Sequence, residues 1–154
     1  MTVSVIVIGT EPPCPRCALM GSLVTKAAEE SGISVALDHI SFDSPRAREI
    51  AQRKNLIPGT AKHVLTKVGI EVGMHEIYAL IENPPPTSPY ASEVDGIAAR
   101  WSPELDEALR PCEKIAESVG ILMTPVLIVD GEIRHAGSVP GFQRIREYLH
   151  GANS

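Results

Sequence analysis

The sequence lacks any long apolar segment. No run among its 154 residues approaches the ~20 apolar residues that a membrane-spanning helix needs, so we expect no membrane partner. The first residues, Met1 to Ile8, contain no lysine or arginine and no small-residue cleavage site. They predict a strand rather than an export signal, so we expect a cytoplasmic protein.

Positive charge is also scarce and scattered. The chain has 14 Lys and Arg against 19 Asp and Glu, a net charge of −5, and the basic residues form no stripe. This pattern argues against nucleic acid as a partner. The composition, 44% apolar and 21% charged, is ordinary for a soluble globular domain, and the length is sufficient for one core.

Cysteine is rare, with three residues in the chain. With so few cysteines in an intracellular chain, a disulfide framework is disfavoured, and a catalytic or metal-binding role is favoured for the C-x-x-C pair Cys14 and Cys17; a vestigial or structural pair is the alternative. A metal site would need two more ligands, and no second C-x-x-C or H-x-x-x-H is present, so we predict no metal and no cofactor. Cys112 lies at helical spacing with Ile115 and Val119, which predicts a core residue; a resolving or ligand role is the alternative.

The C-x-x-C pair follows a predicted buried strand and precedes a predicted helix. The strand is Val3 to Ile8 and the helix is Ala18 to Ser31. Unpaired N–H groups and the dipole at a helix N-terminus stabilise an anion, which here would be the Cys14 thiolate, the reactive form of cysteine. Cys17, one turn along, can close onto Cys14 as a disulfide.

Two residues between the cysteines support this arrangement. Pro15 occupies the first helical position, where its missing N–H costs nothing. Arg16 adds a positive charge that we expect to act on the thiolate; the alternative is a charge exposed to solvent.

The remainder of the chain divides into a helical middle and a β-rich end. Ile33 to Ile40 predicts a second strand parallel to the first. The segment 44–103 predicts mainly helices, with Val72 among the apolar residues at helical spacing, a turn at Leu56–Gly59, and a surface loop at the prolines of 84–89. That loop could instead bind a partner as a polyproline II helix.

The last third predicts a hairpin and a helix. Pro111 should divide the helix that begins after Ser102. Pro125 to Val129 predicts a strand, Asp130-Gly131 a tight turn, and 132–136 the return strand, before a final helix over 141–150.

These elements, βαβ and then ββα with C-x-x-C after the first strand, resemble the thioredoxin-like superfamily, which includes thioredoxin, glutaredoxins and DsbA-type proteins. Met123-Thr124-Pro125 before the third strand matches the family's proline, which is cis and faces the dithiol. Proline directly after the first cysteine is similar to glutaredoxins and DsbA-type oxidases. The buried aspartate of thioredoxin has no match, because the first strand carries no acid.

The resemblance implies an α/β fold with a mixed four-stranded sheet, and one domain, 1–154, interrupted by a mainly helical insertion at 44–103. It also implies supporting roles for Pro15, Arg16, Thr124 and Pro125 beside the catalytic pair. We expect the Thr124–Pro125 bond to be cis, and the Thr124 backbone to face Cys14 and pair with an extended substrate. The alternative is that Pro125 is a trans proline that begins an edge strand.

The implied function is thiol–disulfide exchange. Cys14 would attack a substrate disulfide and Cys17 would resolve the mixed disulfide. In the cytoplasm the chain would act as a reductase of protein or small disulfides, with a reductase or glutathione as its electron donor. The alternative is a non-catalytic binding module that uses the insertion for a partner or the cysteines for a metal.

Overall fold

The structure is a computed structural model that describes residues 1–70 and 73–153; Val72 therefore lies outside the described residues. Six strands and seven α-helices are described within those ranges. The strands are β1 Thr2–Gly9, β2 Ser34–Ser41, β3 Ile57–Gly59, β4 Ile121–Met123, β5 Val126–Val129 and β6 Glu132–Ala136. The helices are α1 Pro15–Ser31, α2 Pro45–Gln52, α3 Ala61–Val68, α4 Met74–Glu82, α5 Pro103–Ala108, α6 Arg110–Ile115 and α7 Phe142–Asn153.

The main sheet has four strands in the order β2-β1-β5-β6. β1 runs parallel to β2 and antiparallel to β5, and β5 runs antiparallel to β6. The β5–β6 turn at Asp130 and Gly131 has positive φ at both residues, as a two-residue hairpin requires. The predicted mixed four-stranded sheet and its βαβ–ββα order are confirmed.

The two faces of the sheet are covered by different parts of the chain. Val3, Val5 and Val7 of β1 face a large core formed with α1, α7 and the helices that follow α2. Ile6 and Ile8 point to the other face, where they meet the buried alanines and isoleucine of α2. Because β1 is buried on both sides, it carries an almost continuous β-branched run.

The segment 44–103 begins and ends with capped helices. Ser44 and Ser102 each accept a backbone N–H in the first turn of the helix that follows. Gly69 ends α3 in the left-handed conformation, with φ of 73°, so the predicted helical stretch is divided into α3 and α4. No helix or strand covers 84–89, and Pro111 lies in the first turn of α6, where it separates that helix from α5.

The prediction of a turn at Leu56–Gly59 is wrong. Ile57–Gly59 forms β3, which pairs in parallel with β4 in a second, two-stranded sheet. The partner strand lies more than sixty residues away along the chain, so local residue preference, dominated by the Pro-Gly pair, could not reveal it.

No helix among the described residues is both long enough and apolar enough to span a bilayer.

Candidate active site

The dithiol lies at the first residues of α1. Cys14 is the N-cap residue, its backbone N–H donates to Thr10 Oγ1 at 3.0 Å, and its sulfur accepts the Cys17 N–H at 3.5 Å. The two sulfur atoms are 3.1 Å apart, and both cysteines are present as free thiols. Cys14 is half-buried, whereas Cys17 is 1% exposed. Of the two sulfur atoms, that of Cys14 is therefore the more accessible from solution.

The surroundings of Cys14 favour its thiolate. A hydrogen bond from the Cys17 thiol is the largest cause that lowers its pKa, from 9.0 to about 6. Burial opposes this shift, while the Cys17 N–H, the Arg16 charge and the Arg16 N–H support it. At neutral pH most Cys14 is therefore ionised.

Cys17 has the opposite environment. Its hydrogen bond to Cys14, burial and the negative charge of the Cys14 thiolate all raise its pKa above the ordinary value. The pKa values of the two adjacent thiols are therefore moved apart in opposite directions.

Gly9, the last residue of β1, creates the space for Cys17. A Cβ on Gly9 would overlap Cys17 Sγ and would lie 2.9 Å from Cys17 Cβ and 3.0 Å from His39 Cε1. His39 Nε2 lies 3.1 Å from the Thr10 carbonyl oxygen, so its ring lies beside the same loop.

We therefore predict that Gly9→Ala will displace Cys17 and weaken its hydrogen bond to Cys14. The pKa of Cys14, measured from the pH dependence of alkylation, should rise by at least about one unit. Gly21→Ala is the matched control, because the nearest atom to its Cβ is a leucine methyl group at 3.9 Å. An unchanged Cys14 pKa in Gly9→Ala would contradict this account of the glycine.

Arg16 is not a solvent-exposed charge. It is 5% exposed, its Nε donates to Asp106 Oδ1 at 2.6 Å, and its other nitrogens donate to the carbonyl oxygens of Thr124 and Gly137. The second Asp106 oxygen accepts Trp101 Nε1–H at 3.2 Å and the Val139 N–H at 3.0 Å. Arg16 thus connects the dithiol turn to α5 and to the loop before α7, while its charge still lowers the pKa of Cys14.

Thr124 and Pro125 lie immediately before β5. The Thr124–Pro125 peptide bond is cis, and Thr124 borders the same cavity as Cys14. The Thr124 N–H, however, donates to the Gly59 carbonyl of β3 at 2.9 Å. The backbone edge that we expected to pair with an extended substrate is therefore occupied by β3.

A cavity of about 800 Å³ opens beside Cys14. Its wall runs from the dithiol turn to α3 and α4 of the 44–103 segment, to Leu105 of α5 and to Leu109 between α5 and α6. A space of this size, next to a thiolate, is large enough for a small-molecule ligand.

Two residues of this site carry no recognisable signal in the sequence. Asp106 is one of several acids in the first turns of α5 and α6, and nothing local separates it from Glu104 or Glu107. Gly9 resembles any glycine that ends a strand. Each is important because of a neighbour that only folding brings close, Arg16 in the first case and Cys17 in the second.

The crystal structure of the oxidoreductase DsbA from Xylella fastidiosa is similar to this chain at 18% identity, with a TM-score of 0.34, over 99% of this chain and 86% of that chain. No protein-family model matches the sequence, and no curated protein matches it. The fold is defined by the strand order β2-β1-β5-β6, by the strand directions and by the C-x-x-C pair at the start of α1. On these features the chain has a thioredoxin-like fold.

Proposed function

We propose that this chain is a thiol–disulfide oxidoreductase in which Cys14 is the nucleophile and Cys17 the resolving thiol. The observation that carries the proposal is the pair of sulfur atoms 3.1 Å apart, one with a pKa of about 6 and the other with a raised pKa. An ionised, accessible thiolate beside a buried protonated thiol is what the two steps of exchange require.

In the first step the Cys14 thiolate attacks one sulfur of a substrate disulfide. A Cys14–substrate disulfide forms, and the other half of the substrate leaves as a thiolate. Cys17 then loses its proton and attacks Cys14 Sγ, which releases the second half as a thiolate and leaves a Cys14–Cys17 disulfide. Two electrons pass from the dithiol to the substrate.

The direction that we propose is reduction of the substrate, as the sequence predicts. The stabilised thiolate favours the reduced dithiol, so the disulfides that it can reduce are strongly oxidising ones. Glutathione or a dedicated reductase would return the electrons to the Cys14–Cys17 disulfide. No group of three or more His, Cys, Asp or Glu side chains that could hold a metal ion is found within 1–70 and 73–153.

We predict that the Cys14–Cys17 couple, equilibrated with glutathione buffers, will have a midpoint more positive than roughly −230 mV, because its thiolate is stabilised relative to that of thioredoxin. Cys17→Ser should accumulate a mixed disulfide at Cys14 when oxidised glutathione is added, measured as a mass increase on intact protein. Cys112→Ala, at a buried thiol outside the pair, is the matched control. If Cys17→Ser forms no adduct, or the adduct is on another cysteine, the proposed function is wrong.

A further inference from the structure

The cavity beside Cys14 has features that bear on which disulfides the dithiol reacts with. Building on the proposed function, we propose that the cavity selects small organic disulfides that have an apolar body and a carboxylate, rather than protein disulfides. Three observations carry this: the apolar wall of the cavity, the two lysines that border it, and the occupied backbone edge at Thr124.

The wall of the cavity is mainly apolar. The cavity lining includes the buried side chains of Ile77, Leu105 and Leu109. Apolar surface that water reaches is supplied by the partly exposed side chains of α4, which are Met74, Tyr78 and Ile81. An apolar or aromatic substrate body would remove this surface from water, which contributes about 25 cal/mol per Å² buried.

The charge at the cavity is positive although the chain as a whole is acidic. Lys62 and Lys67 of α3 border it, and no acidic residue does so among the described residues. Neither lysine has a carboxylate partner in the described ion pairs, and Lys62 Nζ lies 5.2 Å from the centre of the Tyr78 ring. Arg16 also reaches the cavity, but Asp106 already neutralises it. Two lysines that form no ion pair with any described residue, beside an apolar wall, fit a substrate with an apolar body and an anionic group.

A polypeptide substrate has no backbone edge to pair with at this position. The Thr124 N–H is bonded to Gly59, and the Thr124 carbonyl accepts Arg16 Nη1 at 3.5 Å. β-strand addition needs free backbone groups of this kind, because main-chain hydrogen bonds supply much of its affinity. The protein must therefore recognise its substrate through its own side chains and not through its backbone. Recognition of this kind favours a compact molecule over an extended polypeptide as the substrate.

The reaction with such a substrate is balanced within the dithiol. The reduced protein and one diaryl disulfide give the Cys14–Cys17 disulfide and two aryl thiols. The substrate disulfide gains two electrons, and the two protein thiols supply the two protons. A single turnover therefore requires no other reactant.

The test is single-turnover reaction of the reduced protein with four disulfides. They are 5,5′-dithiobis(2-nitrobenzoate), which is aromatic and anionic; 4,4′-dithiodipyridine, aromatic and neutral; oxidised glutathione, polar and anionic; and hydroxyethyl disulfide, polar and neutral. Each rate is divided by that of free cysteine with the same compound, which removes the compound's own reactivity. We expect the largest quotient for 5,5′-dithiobis(2-nitrobenzoate).

The lysines are tested with Lys62→Met/Lys67→Met. The ratio of the 5,5′-dithiobis(2-nitrobenzoate) rate to the 4,4′-dithiodipyridine rate should fall roughly tenfold, as expected for the loss of two charge contacts. The pH midpoint of Cys14 alkylation by neutral iodoacetamide should stay near 6, because neither lysine is among the causes of the Cys14 pKa shift. Lys114→Met, an exposed lysine of α6, is the control and should leave the ratio within twofold.

The outcomes separate the two proposals. If Cys14→Ser abolishes reaction with all four compounds but Lys62→Met/Lys67→Met behaves as Lys114→Met, exchange at Cys14 stands and the substrate class is overturned. A larger quotient for oxidised glutathione, or for an unfolded disulfide-bonded protein added as a fifth substrate, would overturn it too. If no quotient exceeds one in the unmodified protein, the proposed function itself fails.

Discussion

Replacing Asp106 by alanine should lower the free energy of unfolding by about 3–5 kcal/mol, because the change leaves the Arg16 guanidinium buried without its partner. It also removes the acceptor for Trp101 Nε1–H and for the Val139 N–H. The Trp101 indole N–H would then be buried without a hydrogen bond, and the half-buried Val139 N–H would lose its acceptor. Urea unfolding of the reduced protein measures the loss.

The control for Asp106 is its neighbour Glu107, which is 74% exposed and pairs with Arg110 at 3.5 Å. Glu107→Ala should cost less than about 1 kcal/mol. The double change Arg16→Met/Asp106→Leu should recover part of the stability, because an apolar pair of similar volume avoids the unpaired charge but still leaves the Trp101 and Val139 N–H groups without their acceptor. If Asp106→Ala is no more destabilising than Glu107→Ala, the ion pair does not connect the dithiol turn to α5 as described.

Replacing Cys17 by alanine should raise the pKa of Cys14 from about 6 toward 9.0, because the hydrogen bond from the Cys17 thiol is the largest cause of the lowering. At pH 6 the thiolate fraction of Cys14 should then fall roughly fivefold for the first unit of the shift and roughly tenfold for each further unit, and the alkylation rate should fall with it. The measurement is the rate of iodoacetamide labelling between pH 4 and pH 10, with the labelled residue identified by mass spectrometry.

Cys17→Ser is the matched variant, because its hydroxyl can still donate to Cys14. Its Cys14 pKa should lie between that of the unmodified protein and that of Cys17→Ala. A Cys14 pKa that stays near 6 in Cys17→Ala would show that the helix N-terminus and Arg16 are sufficient without the second thiol. Labelling of Cys17 or Cys112 before Cys14 in the unmodified protein would contradict the assignment of the nucleophile.

The same shift predicts how the stability of the reduced protein depends on pH. The pKa of Cys14 is lowered in the folded state, so its thiolate contributes stability that is fully present above pH 9 and is lost as the pH falls through about 6. Cys14→Ser should lack this dependence.

The sequence by itself determined the elements whose causes are local. The β-branched run of β1, the Ser-Pro starts of α2 and α5, the Asp130-Gly131 turn and the glycine that ends α3 each depend on residues close along the chain. The position of Cys14 before a helix belongs to the same group, because strand, dithiol and helix are consecutive. These features were sufficient to predict the βαβ–ββα order of the elements along the chain and the resemblance to the thioredoxin-like superfamily.

Only the tertiary structure decided the features that join distant parts of the chain. Arg16 pairs with Asp106, which lies 90 residues away along the chain. β3 pairs with β4, and the Gly59 carbonyl accepts the Thr124 N–H. The cavity beside Cys14 likewise combines the dithiol turn with α3, α4 and α5. Hydrophobic patterning specifies which face of each element is buried but not which polar groups then meet, because hydrogen bonds and ion pairs depend on angstrom-scale positions that packing fixes.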